Sequence, residues 1–143
     1  MDQAPARLRT KPSWLINKIA VQAHRLRAEG LAPGHEFGIL AALAEFGPAS
    51  QISIGQRCGV DRSDTHAAVN DLVDQGFVER APDPEDRRRN VITITPAGQD
   101  RLGALDLVFD QVQDALVGAL PAAERAQLVA LLTRVYDSNL PPT

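Results

Sequence analysis

The chain has 143 residues, 44% apolar and 23% charged, an ordinary balance for one globular domain that excludes disorder and a multi-domain assembly. No apolar run approaches the roughly 18 to 20 residues of a membrane span and no signal-peptide core opens the chain, so no membrane partner and a cytoplasmic location are expected. Cys58 alone cannot form an internal disulfide, and His24, His35 and His66 are scattered, so no metal is expected; the net charge of −3 argues mildly against nucleic acid.

In chain order, Met1 to Pro12 reads as a mobile lead, and Ser13 is placed to cap a helix starting at Trp14. Leu15, Ile19, Gln22 and Leu26 lie on or beside one stripe of that helix, and Gly30 ends it. A second helix is expected from near Pro33 to about Phe46, with Phe37, Leu40 and Leu43 spaced by three and Gly47-Pro48 as the stop. Ser50 opens a short third helix that runs through Arg57 and closes at Gly59. Asp61 then caps a helix that runs to Gln75 and ends at Gly76. Val69, Leu72 and Val73 form its apolar side, and Arg62, Ser63, Asp64, His66, Ala67 and Asn70 its other face. Two helices joined by the tight turn Cys58-Gly59-Val60 make a helix-turn-helix pattern.

The period then changes. Phe77 to Ala81 and the β-branched run Val91-Ile92-Thr93-Ile94-Thr95 read as two strands around a polar tip that contains Pro82, Pro84 and the triplet Arg87-Arg88-Arg89. The expected fold is therefore mainly α (α+β), a winged helix-turn-helix with a two-stranded wing. Thr95 caps the next helix, with Pro96 at its first position. Leu102, Leu105, Phe109, Val112 and Leu116 recur at alternating steps of three and four, a coiled-coil-like seam. A last helix starts at Pro121 and carries Leu128, Leu131, Leu132 and Val135. These flanking helices are longer and more apolar than a small winged helix can cover, which points to a homodimer. A single domain over 1–143 is expected, with the winged helix-turn-helix part at 33–98 and dimerisation helices at 13–30 and 99–138. The dimer contacts are expected from Leu102, Leu105, Phe109, Val112, Leu116, Leu128 and Leu132.

Charge is segregated along this framework. Residues 1–30 hold six Lys/Arg against two acids, and residues 102–143 hold two Arg against five acids. Because exposed charges are screened over about 10 Å at 0.1 M salt, the local patch decides which surface is met.

The run from Asp86 to Gly98 resembles the wing of the MarR (multiple antibiotic resistance regulator) family of bacterial transcription factors. Asp86, Arg88, Thr95 and Gly98 fill the family pattern of Asp-x-Arg, an apolar strand and Thr-x-x-Gly. Leu72, Gly76, Phe77, Val78 and Arg80 similarly match the end of the family's recognition helix, and the likeness in element order extends from Trp14 to about Tyr136. The resemblance implies a dimer that binds double-stranded DNA at an inverted repeat, a default role as repressor, and relief by a small aromatic or phenolic ligand. It also implies that Arg88 enters the minor groove with Asp86 as its support. The segment from Asp61 to Gln75 departs from family habit, with four Asp against one Arg.

Candidate DNA-binding residues are thus Arg62, Ser63, Asp64, His66, Ala67, Asn70, Arg87, Arg88 and Arg89, with Asp86 as wing support. Asp64 either accepts from a cytosine amino group or pairs with Arg62. His66 is a base or phosphate contact or a surface residue without a role. Cys58 reads as a packing residue rather than a redox sensor, because thiol-sensing relatives carry their reactive cysteine near the N-terminus. Trp14 packs its helix or, with Arg25 and His35, lines a ligand pocket. An enzyme is disfavoured, since no phosphate loop, nucleophile elbow or zinc motif is present, and no cofactor is expected. The competing class is a winged helix used only for protein contacts, which the acidic recognition helix favours. Salt-dependent retention on heparin or random DNA separates the two.

Overall fold

A computed structural model describes residues 3–30 and 34–142, so the expected start of the second helix near Pro33 lies outside the described residues. The elements are α1 (Ala6–Arg9), α2 (Pro12–Glu29), α3 (Glu36–Phe46), β1 (Ala49–Ser50), α4 (Gln51–Cys58), α5 (Arg62–Asp74), β2 (Val78–Pro82), β3 (Asn90–Ile94), α6 (Pro96–Val117) and α7 (Ala122–Ser138). They form two compact units, one of Arg27–Asp110 and one of Met1–Leu26 with Gln111–Thr143.

The first unit is a winged helix-turn-helix. Ser50 caps α4 by accepting from Ser53 N at 3.2 Å, and Asp61 caps α5 by accepting from Asp64 N at 2.7 Å, both as their residue types predict. Gly59 ends α4 at φ 65°, a left-handed conformation that lets the chain turn within three residues. The two helices approach closely because Gly55 has no side chain: a Cβ there would lie 2.8 Å from Thr65 Oγ1. Ile39, Leu40 and Leu43 of α3, Ile54 of α4, Val69 and Leu72 of α5, Val78 of β2, Ile92 of β3 and Leu105 of α6 form the core.

The sheet has three antiparallel strands in the order β1-β3-β2, one more than the sequence suggests. Ile92 pairs with Arg80 on one side and Ala49 on the other. Two residues are too few to display a period, so β1 is defined only by its partner. Thr95 caps α6 as expected, accepting from Gly98 N at 3.0 Å, while its hydroxyl donates to Gly76 O at 2.7 Å. Gly98 itself is obligatory, because a Cβ would overlap the Phe77 carbonyl.

Part of the expected dimer seam belongs to this unit's interior. Leu105 is only 3% exposed inside the core and Leu102 packs against it, while Phe109 stacks on Phe37 with ring centroids 4.1 Å apart. A step pattern of three and four marks one buried stripe on a helix, and it is the same whether the stripe meets a second chain or its own domain. The unit consequently reaches along α6 to Asp110.

In the second unit, α2 begins at Pro12 rather than Trp14, so Ser13 is inside the helix and does not cap it. Proline loses nothing at a first helical position, and Lys11 O takes the bond from Leu15 N at 3.1 Å. The stretch expected to be mobile contains the turn α1, closed by Arg9 Nε donating to Ala4 O at 2.7 Å. Val112 is buried and Leu116 and Leu128 are half-buried. Leu15, Ile16, Ile19 and Val21 of α2, and Val129, Leu131, Leu132, Val135 and Tyr136 of α7, are exposed.

Candidate nucleic-acid interface

The helix-turn-helix sorts the residues of α5 by face. Thr65, Val69 and Leu72 turn inward, whereas Arg62, Ser63, Asp64, His66 and Ala67 are exposed and Asn70 is half-buried. The exposed set lies on one side because the inward residues recur at steps of three and four. Asp64 Oδ2 lies 3.9 Å from His35 Nε2, and among the described residues it has no ion pair with Arg62.

At the wing tip the backbone closes on itself, with Asp83 N donating to Arg89 O at 2.8 Å and Arg89 N to Asp86 O at 2.9 Å. Asp83 also accepts from Glu85 N at 2.9 Å. Asp86 Oδ1 receives both the Arg88 backbone N–H at 3.1 Å and Arg88 Nε at 3.2 Å, and its Oδ2 lies 3.7 Å from Arg89 Nε. Asp86 therefore serves two arginines where the sequence suggests one. The Arg88 backbone N–H, then its side chain, and the charge of Arg89 hold the Asp86 carboxyl below the usual carboxylate range. The Arg88 side chain remains 91% exposed, so it is oriented without being hidden.

Helix and wing meet at a cleft of about 590 Å³ lined by Ser50, Gln51, Ile52, His66, Arg80, Arg88, Arg89 and Asn90. Of these, Gln51 is not singled out by the sequence reading, and Arg80 enters it only through the family match, with no role in the site. Arg80 looks like an ordinary outward position on a strand, and only the packing of β2 against α5 brings it to Asn70.

The three residues suggested for a ligand pocket fall in different units. Trp14, half-buried with Lys18 Nζ 5.7 Å from its ring centroid, and the exposed Arg25 lie in the second unit, while the exposed His35 lies in the first. A cation the sequence did not flag sits within the first unit: Arg27 lies 5.4 Å from the Phe109 ring centroid and donates to Gly34 O at 2.7 Å. Its Nε is buried with no hydrogen-bond partner among the described residues. Cys58 packs against the core from the end of α4, and burial pushes its thiol pKa up.

A sequence model of the MarR family matches residues 24–89. The chain is 37% identical over 116 residues to a putative transcriptional regulatory protein for the hcr operon of Thauera aromatica, covering 79% of this chain and 69% of that one. It is 32% identical over 104 residues to the HTH-type transcriptional repressor NicR of Pseudomonas putida, covering 73% of this chain and 66% of NicR. It thus spans about two thirds of the length of both curated relatives. A mutant MarR from E. coli solved in complex with operator DNA superposes with a TM-score of 0.75 at 25% identity, covering 92% of this chain and 99% of that one. With its helix-turn-helix, its Asp86–Arg88 wing and its Thr95-x-x-Gly98 joint all in place, the chain belongs to the MarR family of transcriptional regulators.

Proposed function

We propose that the protein is a homodimeric repressor that binds an inverted-repeat operator, with α5 in the major groove and the wing reaching the adjacent minor groove. The observation that carries this is the adjacency of an exposed recognition face and an oriented but uncovered Arg88 across one cleft. Arg62, Ser63, Asp64, His66, Ala67 and Asn70 are the proposed helix contacts. Arg87 and Arg89 are proposed phosphate contacts. The exposed apolar side chains of α2 and α7 support dimerisation, since they leave each chain with surface that water solvates poorly. No single helix among the described residues is long and apolar enough to cross a membrane, and the proposed site of action is the cytoplasm.

Relief of repression by a small aromatic acid belongs to the same proposal. A buried guanidinium Nε without a partner among the described residues, beside a stacked aromatic pair, suits a carboxylate joined to a ring. The deciding experiment is selection of bound DNA from a random pool, followed by titration of the recovered site. A palindromic consensus with salt-dependent affinity is expected. Recovery of no sequence, with no retention on heparin, would leave a protein-contact module instead.

A further inference from the structure

Four polar residues form a chain across the cleft between the recognition helix and the wing. Arg80 of β2 donates through a terminal guanidinium nitrogen to Asn70 Oδ1 at 2.7 Å. Asn70 Nδ2 lies 3.2 Å from His66 Nε2, one helical turn earlier. His66 Nδ1 lies 3.1 Å from Gln51 Nε2, the amide nitrogen of the first residue of α4, so both ring nitrogens face an amide nitrogen.

The donor and acceptor count along this chain has one solution. A guanidinium has no acceptor, so Asn70 must turn its oxygen to Arg80 and its NH2 to His66. A neutral imidazole has one N–H and one lone pair. Nε2, facing a donor, keeps the lone pair, and Nδ1 carries the proton. That proton needs an acceptor, which the Gln51 amide supplies once it is turned over about its terminal bond, with Oε1 in the place of Nε2 and the NH2 released.

We infer that Arg80 is a positioning residue for DNA reading: through Asn70 it holds His66 as the Nδ1–H tautomer, and His66 in turn fixes Gln51 with its NH2 free to donate to an acceptor on DNA. This rests on the DNA-binding reading proposed above. Without Arg80, Asn70 turns over freely and His66 exchanges between tautomers. Gln51 follows it. The cleft then offers a mixture of donor and acceptor patterns, and discrimination between bases falls.

The test begins on the free full-length protein, so that it is separate from the DNA-binding reading. Long-range 1H–15N correlation spectra of the histidine rings, with His66 assigned by His66→Gln, are expected to show a protonated Nδ1 and an unprotonated Nε2. Arg80→Met is expected to shift His66 toward the other tautomer. Asn70→Asp gives a second, independent reading, since a carboxylate accepts at both oxygens and forces the proton onto Nε2 while Arg80 keeps its partner. A wild-type His66 protonated at Nε2, or a tautomer unmoved in both variants, overturns the proposal.

On DNA, Arg80→Met is expected to lower the preference for the selected operator over random sequence by roughly three- to tenfold, the worth of one ordinary hydrogen bond. The salt slope is expected to stay unchanged, and a slope reduced by about one unit would make Arg80 a phosphate contact and overturn the positioning role. If the wild type binds no DNA while the Nδ1–H tautomer is present, the DNA-binding reading has failed and the role in reading falls with it.

Discussion

At the scale of single residues, the wing separates three adjacent arginines by what each can reach. Arg88 shares Asp86 Oδ1 through two nitrogens and Arg89 approaches Oδ2, whereas Arg87 is exposed. Arg88→Ala is expected to weaken operator binding by on the order of 1 to 3 kcal/mol, most at A·T-rich flanks whose narrow grooves attract arginine. Arg87→Ala is expected to weaken all sequences alike and to reduce the salt slope by about one unit. Fluorescence anisotropy on the operator and on scrambled DNA distinguishes the two. Asp86→Ala is expected to weaken binding despite removing a negative charge, because two freed arginines lose more rotamer freedom on entering the interface. Tighter binding by this variant would sink the partnership.

The pH dependence of the same contact has a definite sign. The Asp86 carboxyl is held below its ordinary value, so its contribution to wing order is complete above the unfolded carboxylate range near about 4. It is lost only as pH falls through the lower folded value. Wing order followed by the Arg88 and Arg89 amide signals is therefore expected to stay constant from neutral pH down to that range. Cys58 behaves oppositely as a reagent: its raised thiol pKa and partial burial predict slow alkylation at neutral pH compared with a free cysteine.

At the scale of elements, α6 does two jobs along its length, and substitutions separate them. Leu105 is buried in the winged-helix core, so Leu105→Ala is expected to cost roughly 2 to 5 kcal/mol of unfolding free energy by denaturant titration. Its effect is expected to be independent of protein concentration, which a residue confined to a dimer seam would not show. The joint between wing and α6 is equally local. Glu36 receives Arg101 Nε at 2.8 Å and a terminal guanidinium nitrogen at 3.2 Å, and that carboxylate holds the Arg101 pKa up. The pair bridges α3 to α6 within the same unit.

At the scale of the whole molecule, the exposed leucine and valine side chains of α7 are where dimerisation is expected to be tested. Leu132→Glu together with Val135→Glu places charges on surface that is already half solvent-exposed in one chain, 44% and 50% respectively, and helical content measured by circular dichroism separates a lost interface from a lost fold. Sedimentation is expected to give monomers that retain helical content and bind the operator far more weakly. Recognition helices of the intact dimer are expected about one DNA turn apart, roughly 34 to 36 Å, so a single half-site binds poorly. An unchanged dimer in the doubly charged variant would move the interface elsewhere.

The sequence by itself determined what depends on local chemistry. Ser50, Asp61 and Thr95 cap the helices they precede, and Gly59 and Gly76 end α4 and α5 at positive φ. The β-branched run from Val91 is a strand in the expected register of alternation. Each of these follows from the residue and its neighbours within one turn. The acidic partner of Arg88 came from the family resemblance, and the contact itself is local, spanning two residues. Tertiary structure alone decided the rest. The strand β1 exists only because β3 lies beside it. Leu105 faces its own core rather than a second chain because a stripe carries no label for what it meets. Arg80 joins Asn70, ten positions earlier, and Gln51 joins His66, fifteen positions later. Contacts across such separations are set by how helix, turn and wing are folded against one another, and neither period nor composition encodes them.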